Sequence, residues 1–226
     1  MPCKMKKIAF IPLRAQSKGI EGKNTKALRG KPLFCWILDT VISCSEFDEI
    51  WVATDCDCVR SILGDSYPTV SLFDRSSESA TDLSPTIDVV MEFLSTKSYA
   101  GGDWFVLFQA TSPFTRQEEI KKLCAVIGQT DKVSIVACYR SNRFRWSSEG
   151  VPLDYSWSNK PRRQDYEGLL LEAGAFYASK ISSIEQSKQL ITSPAEVVEI
   201  SETTALDIDN LIDFAMAETF IEYGLL

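Results

Sequence analysis

The chain contains no histidine, and that absence removes catalytic triads built on an imidazole base and zinc sites built on imidazole ligands. Two common phosphate-binding fingerprints are missing as well. Residues 19–25, GIEGKNT, have two residues between their glycines and Asn24 after Lys23, whereas a P-loop needs a longer spacing and a Ser or Thr there; no G-x-G-x-x-G occurs anywhere. A Walker-type kinase and a nicotinamide enzyme are therefore unsupported. The seven cysteines form no C-x-x-C pair, and Cys56 and Cys58 lack partners at zinc spacing, which indicates reduced thiols rather than a disulfide framework. No apolar run is long enough to span a membrane. The N-terminal one is interrupted by Arg14 and has no small-residue cleavage site, which points to a cytoplasmic protein. Internal repeats and low-complexity tracts are also absent.

What is present is an ordinary globular composition, 45% hydrophobic and 24% charged over 226 residues, enough for a single large α/β domain spanning 1–226. The net charge of −7 argues against nucleic acid as the main partner, yet the signs are segregated along the chain. From Met1 to Lys31 there are nine Lys or Arg against Glu21 alone, from Tyr139 to Arg163 six against two acids, and from Glu196 to Glu222 eight acids with no Lys or Arg. Basic regions set against an acidic tail suit a site for a polyanion together with a divalent cation; taken by itself, the pattern equally describes solvated surface. Without histidine, chemistry must run on Lys, Arg, carboxylates, hydroxyls and a metal. Phosphoryl transfer fits that set, because it needs positioning and charge neutralisation more than covalent participation.

The pattern of apolar segments predicts alternating strands and helices. KIAFIPL reads as a strand, followed by the polar loop IPLRAQSKGIEGKN (11–24) and a helix PLFCWILDTVISC with Pro32 at its first position. Further strands are expected at 49–55, TVSLF, 104–109, KVSIVACY, LEAGAFYAS and AEVVEI. Helices are expected near 56–64 and 85–97, over TRQEEIKKLCAVIGQ and over NLIDFAMAETFIEY. Continuously apolar short strands between amphipathic helices imply a parallel-dominated sheet covered on both faces, with ligands at the carboxyl ends of the strands. The 11–24 loop, Thr54-Asp55 and QATSP (109–113) lie at such ends and are expected to converge. Between about 139 and 170 the period is lost, and an extension from the main sheet is expected there. Trp104, Trp146 and Trp157 are read as packing residues.

An Arg/Lys/Ser loop at a strand end is either an anion cradle or a solvated connection. Asp207 and Asp209 are two apart in an extended segment, so both carboxylates face the same way and can share a cation, with magnesium taking its remaining ligands from phosphate and water. The alternative is that Asp209 or Asn210 caps the last helix. Asp213 reads as surface.

These residues fall into a larger pattern. L-R-A-Q-S-K-G-I-x-x-K-N (13–24) resembles the A-R-x-x-S-K-x-x-x-x-K-N loop of the sugar cytidylyltransferases, and four further blocks follow in that family's order. They are S-S-E with D-x-S-x-T (76–78 and 82–86), Q-A-T-S-P (109–113), P-R-R-Q-D with G-A-F-Y (161–165 and 174–177), and D-I-D (207–209). The phrases FRW, PRRQD and RSSE are most similar to the animal-type N-acylneuraminate cytidylyltransferases, and the resemblance spans about residues 6–223.

The resemblance implies a Rossmann-like nucleotidyltransferase fold that transfers CMP from CTP to the anomeric 2-hydroxyl of a sialic acid, releasing pyrophosphate. By the same resemblance Arg14, Ser17, Lys18 and Lys23 hold the triphosphate, with Lys18 or Arg14 stabilising the developing charge. Asn24, Arg75, Ser84 and Thr86 contact the nucleotide. Gln109 faces both substrates; Arg163, Gln164 and Tyr177 bind the sugar, with Arg163 on its carboxylate; Asp207 and Asp209 hold magnesium. The irregular 139–170 segment corresponds to the part that forms a homodimer and reaches into the neighbour's site. Two departures stand out. Ala15 and Gln16 replace a frequent Gly pair, and Ala173-Gly174 replaces a common Asn-Gly, which loses an amide and brings a deaminated sialic acid (Kdn) forward beside N-acetylneuraminic acid. Other readings are CMP activation of Kdo, legionaminic or pseudaminic acid, or a catalytically silent nucleotide-binding relative.

Overall fold

The computed structural model describes residues 4–17, 19–81 and 83–226; Lys18 and Asp82 lie outside them. Its centre is a seven-stranded sheet. In chain order the strands and helices are β1 (Lys7–Leu13), the two-residue β2 (Ala27–Leu28) and β3 (Lys31–Pro32), α1 (Leu33–Cys44), β4 (Glu49–Thr54), α2 (Asp57–Ser66), β5 (Ser71–Asp74), α3 (Thr86–Ser95), β6 (Trp104–Phe108), α4 (Gln117–Ile127), β7 (Ser134–Ser141), β8 (Leu169–Lys180), α5 (Ile181–Ser187), β9 (Glu196–Ile200) and α6 (Leu211–Glu222). The sheet order is β5-β4-β1-β6-β8-β7-β9. β8 runs antiparallel to both neighbours and every other pairing in this sheet is parallel. The predicted parallel-dominated α/β sheet is thus observed, with β8 as its one reversed strand.

Alternation of side chains along β1 explains why its sequence is apolar throughout. Ala9, Ile11 and Leu13 pack with Phe34, Leu38, Leu63 and Ile120 on one face, while Ile8 and Phe10 pack with Val90, Phe93 and Ile184 on the other. A strand covered by helices on both sides has no polar face to present. A third, smaller cluster of Ile20, Leu28, Leu33, Phe114, Ile208, Phe214 and Ala217 lies where the first loop meets the start of α6.

Two expectations are corrected. Pro32 is not the first helical residue; it is the N-cap of α1, with φ −53° and ψ 139°. It needs that extended backbone because it pairs with Ala27 in a tight hairpin whose turn residues, Arg29 and Gly30, have φ of 50° and 83°, as a two-residue hairpin loop requires. Trp104 is buried as expected, but Trp146 and Trp157 are 56% and 84% exposed. Both lie in the 142–168 segment between β7 and β8, where the isolated bridges Trp146–Pro152 and Ser156–Asn159 replace regular structure. The segment has a small cluster of its own, Phe144 against Tyr155 and Tyr166 with Trp146 edge-on to Tyr155. α5 is a further helix that the sequence pattern did not signal.

Candidate active site

The carboxyl ends of β1, β5 and β6 open onto a cavity of about 480 Å³. Its walls bring together Arg14, Ser17, Lys23 and Asn24 from the first loop, Arg75 after β5, Ser84 and Thr86 at the start of α3, Gln109 after β6, and Asp207 and Asp209. Thr81 and Thr111 complete the polar side of the lining, and Pro12, Pro85, Val89 and Ala110 form its apolar part. Ten of the residues selected from the sequence therefore meet at one place. Lys18 falls outside the described residues. Arg163, Gln164 and Tyr177 do not line this cavity: Arg163 and Gln164 sit exposed on a short 3-10 turn, and Tyr177 lies on β8.

The loop after β1 is held by its own backbone and by two acids. Asp55 Oδ1 accepts from the Ala15 N–H at 2.8 Å, and the Asn24 amide donates to the Arg14 carbonyl at 3.0 Å. Lys23 Nζ donates to the Ile208 carbonyl at 2.8 Å and to Asp209 Oδ1 at 3.1 Å. Gly19 packs so tightly here that a Cβ would come 2.3 Å from the Asp209 carbonyl oxygen. Ile20 and Ile208 share the third apolar cluster beneath. Asn24 thus organises the loop itself.

The opposite wall is built for negative charge. α3 begins after Pro85 with no side-chain cap on its first N–H groups, and Thr86 at its start lines the cavity. Such a helix end favours anions. Arg75 stands nearby, its Nη2 donating to the Ser79 carbonyl while its Nε is buried without a partner among the described residues. Burial pulls the Arg75 guanidinium below its ordinary value, with Asp55 and Glu92 opposing and Arg14 adding to the shift. Ser84 is tied down by Thr81 Oγ1 at 2.6 Å and by donating to the Glu78 carbonyl at 2.6 Å.

Asp207 and Asp209 differ in environment although they share a face. Burial pushes the Asp207 carboxyl up; Thr111 opposes the shift, while the neighbouring Asp209 adds to it. Its Oδ1 is buried with no hydrogen-bond partner among the described residues. A buried carboxylate oxygen without a hydrogen-bond partner, beside a second carboxylate, fits the donor set of a hard cation. Among the described residues no group of three His, Cys, Asp or Glu side chains is placed to hold a metal ion; a cation on this pair would take its other ligands from phosphate and water, as magnesium does. Asn210 caps α6, accepting from the Ile212 and Asp213 N–H groups. Asp213, read as surface, completes the cap by accepting from the Asp209 and Asn210 N–H groups, both at 2.9 Å. The N-x-x-D spacing carried that signal.

β8 lies behind two of the lining residues, Gln109 and Asp207. Its register against β7 jumps from Val136–Tyr177 to Cys138–Glu172, and in the resulting bulge Gly174 takes φ 71°, where a Cβ would stand 3.3 Å from Gln109 Oε1 and 3.9 Å from Asp207 Oδ2. Ala173 beside it is 5% exposed and packs in the core with Phe108 and Ala175, so at this bulge Gly174, not Ala173, stands next to Gln109 and Asp207. Tyr177 donates to Glu172 Oε1, and burial first, then this bond, raise the tyrosine pKa. Asp55, which holds the loop after β1, and Glu172, which holds Tyr177, are partners that the sequence reading did not single out.

Comparison with known proteins agrees with this geometry. A family model described as cytidylyltransferase matches residues 8–165. The chain is 33% identical over 217 residues to the N-acylneuraminate cytidylyltransferase of Oncorhynchus mykiss, covering 93% of this chain and 49% of that protein. It is 30% identical over 231 residues to the protein of the same name from Streptococcus agalactiae, covering 98% and 55%. The chain therefore spans about half the length of these curated relatives. Among solved structures, CMP:2-keto-3-deoxy-manno-octonic acid synthetase complexed with CTP superposes with a TM-score of 0.72 at 16% identity, covering 97% of this chain and 99% of that one. That similarity establishes the fold.

Proposed function

The chain belongs to the cytidylyltransferase family, and from that premise we propose that it transfers CMP from CTP to the anomeric 2-hydroxyl of a sialic acid, giving CMP-sialic acid and pyrophosphate. The observation that carries this reading is the cavity in which the basic first loop faces the Asp207–Asp209 pair, with Asp207 Oδ1 buried and unpartnered. The relatives named N-acylneuraminate cytidylyltransferase support the acceptor class.

Arg14, Lys18 and Lys23 neutralise the triphosphate, Ser17 donates a hydrogen bond to it, and the N-terminus of α3 with Arg75 adds to that field. Asp207 and Asp209 would hold magnesium, which would supply positive charge beside the triphosphate. Gln109, beside Gly174 and Asp207, orients the acceptor against the α-phosphorus. The acceptor hydroxyl attacks the α-phosphorus in line, the bond to the pyrophosphate oxygen breaks, and the hydroxyl proton passes to solvent as pyrophosphate leaves. Lys18 and Arg14 stabilise the charge that develops.

Arg163 and Gln164 are exposed and outside the cavity of their own chain. We assign them to the acceptor site of a neighbouring copy, in a homodimer formed through the 139–170 extension. Exposed Trp146 and Trp157, with Leu153 at 56%, support that docking role. No helix among the described residues is long and apolar enough to cross a membrane, and six described cysteines are free thiols; we place the protein in the cytoplasm.

The test is pyrophosphate release with CTP and magnesium, comparing N-acetylneuraminic acid, Kdn and Kdo. Release with either sialic acid is expected. CTP binding without release on any acceptor would overturn the reading in favour of a silent binder or another ulosonic acid.

A further inference from the structure

We propose that Glu119 is a positioning residue for the Asp207–Asp209 pair, acting through Thr204. The inference rests on the metal-site reading above and extends it to a residue far from the cavity in sequence and absent from its walls. Glu119 is a carboxylate left 8% exposed, with no salt-bridge partner among the described residues. A charge in that position needs a reason, because burial without compensation is costly.

Its compensation comes entirely from donors on two loops. Glu119 Oε2 accepts from the Arg116 N–H at 2.9 Å, at the start of α4. Oε1 accepts from the Ser201 N–H at 3.1 Å and from the fully buried Thr204 hydroxyl at 2.6 Å. The first loop, 109–116, carries Gln109 and Thr111 into the cavity wall; the second, 201–208, carries Asp207. One carboxylate therefore joins the bases of the two loops, while the Ile208 N–H donating to the Thr111 carbonyl at 2.8 Å joins their tips. Thr204 precedes Asp207 by three residues, so freedom at Thr204 becomes displacement of Asp207.

The chemistry requires a carboxylate in particular. All three partners are donors, and an ionised carboxyl is the one side chain that accepts on both oxygens and donates on neither. The N-terminus of α4 favours its charge. Glu119→Gln keeps the volume but turns an NH2 group toward a donor, which separates the two loops without emptying the core.

The experiment is calorimetric titration of CTP into the full chain across a range of magnesium concentrations and in EDTA. Glu119→Gln is expected to weaken apparent magnesium affinity in the CTP complex roughly 10- to 100-fold, the usual cost of losing a group that orients a metal ligand, while CTP binding in EDTA stays unchanged. Thr204→Val, which removes only the hydroxyl, should shift magnesium affinity the same way, and Thr204→Ser should restore it. Should Glu119→Gln not fold, the Thr204 pair decides. Unchanged magnesium affinity in the folded variants overturns the proposal, as does an equal loss of CTP binding in EDTA, which would mark a general structural role. A wild-type protein whose CTP binding shows no magnesium dependence would instead overturn the metal-site reading and this inference with it.

Discussion

Lys23 Nζ lies 3.1 Å from Asp209 Oδ1 and 2.8 Å from the carbonyl oxygen of Ile208, 185 residues away in sequence. The ammonium thus ties the first loop to the acidic segment and lines the cavity between them. Lys23→Met keeps the aliphatic stem and removes the tie. Stability should fall by about 1–2 kcal/mol, mostly from the lost bond of the largely buried Lys23 to the Ile208 carbonyl, since Asp209 is largely solvated, whereas the Kd for CTP should rise. Denaturant midpoints and CTP titrations check this, and an unchanged CTP affinity would show the tie to be irrelevant to the nucleotide.

Asp207 sets function against stability. Burial raises its pKa, so the folded chain holds this proton more tightly than the unfolded chain does. Its charge therefore works against folding above the raised value, and the penalty is relieved as pH falls through that value toward the ordinary aspartate range. In EDTA, Asp207→Asn should have a higher Tm than wild type at neutral pH, with the difference vanishing in acid. Turnover should drop roughly 10²- to 10³-fold, as for other losses of transition-state charge stabilisation. A lower Tm at neutral pH would contradict the cost assigned to the buried carboxylate.

Gly174 is required by the β8 bulge. At φ 71° with Gln109 Oε1 3.3 Å from a built Cβ, Gly174→Ala should cost about 1–2 kcal/mol in backbone strain. It should also raise the acceptor KM more than the CTP KM, since the displaced group is Gln109. Equal changes in both would place Gln109 away from the acceptor.

The proposed sharing of sites between copies predicts complementation. Lys18→Ala and Arg163→Ala should each be inactive alone. Co-expressed, they should form mixed dimers with one intact site, recovering about a quarter of wild-type activity for random pairing in a two-fold dimer. No recovery would place Arg163 in its own chain's site.

The sequence by itself determined the alternation of strands and helices, the loop after β1, and the Asp207–Asp209 pair. Each is a local pattern: an apolar strand covered on both faces, a run of anion-binding side chains, two carboxylates on one extended face. It also placed the irregular stretch before Leu169, because loss of period is itself local. Only the tertiary structure decided that β8 runs antiparallel, since LEAGAFYAS is apolar in either direction, and only its bulge shows Ala173 turned to the core and Gly174 next to Gln109 and Asp207. The roles of Asp55 and Glu119 belong to the same class. Asp55 reaches the Ala15 N–H and Glu119 reaches Ser201 and Thr204 across distances set by sheet order and loop packing, which no spacing along the chain encodes; the Arg116–Glu119 capping bond and the Glu172–Tyr177 bond are local.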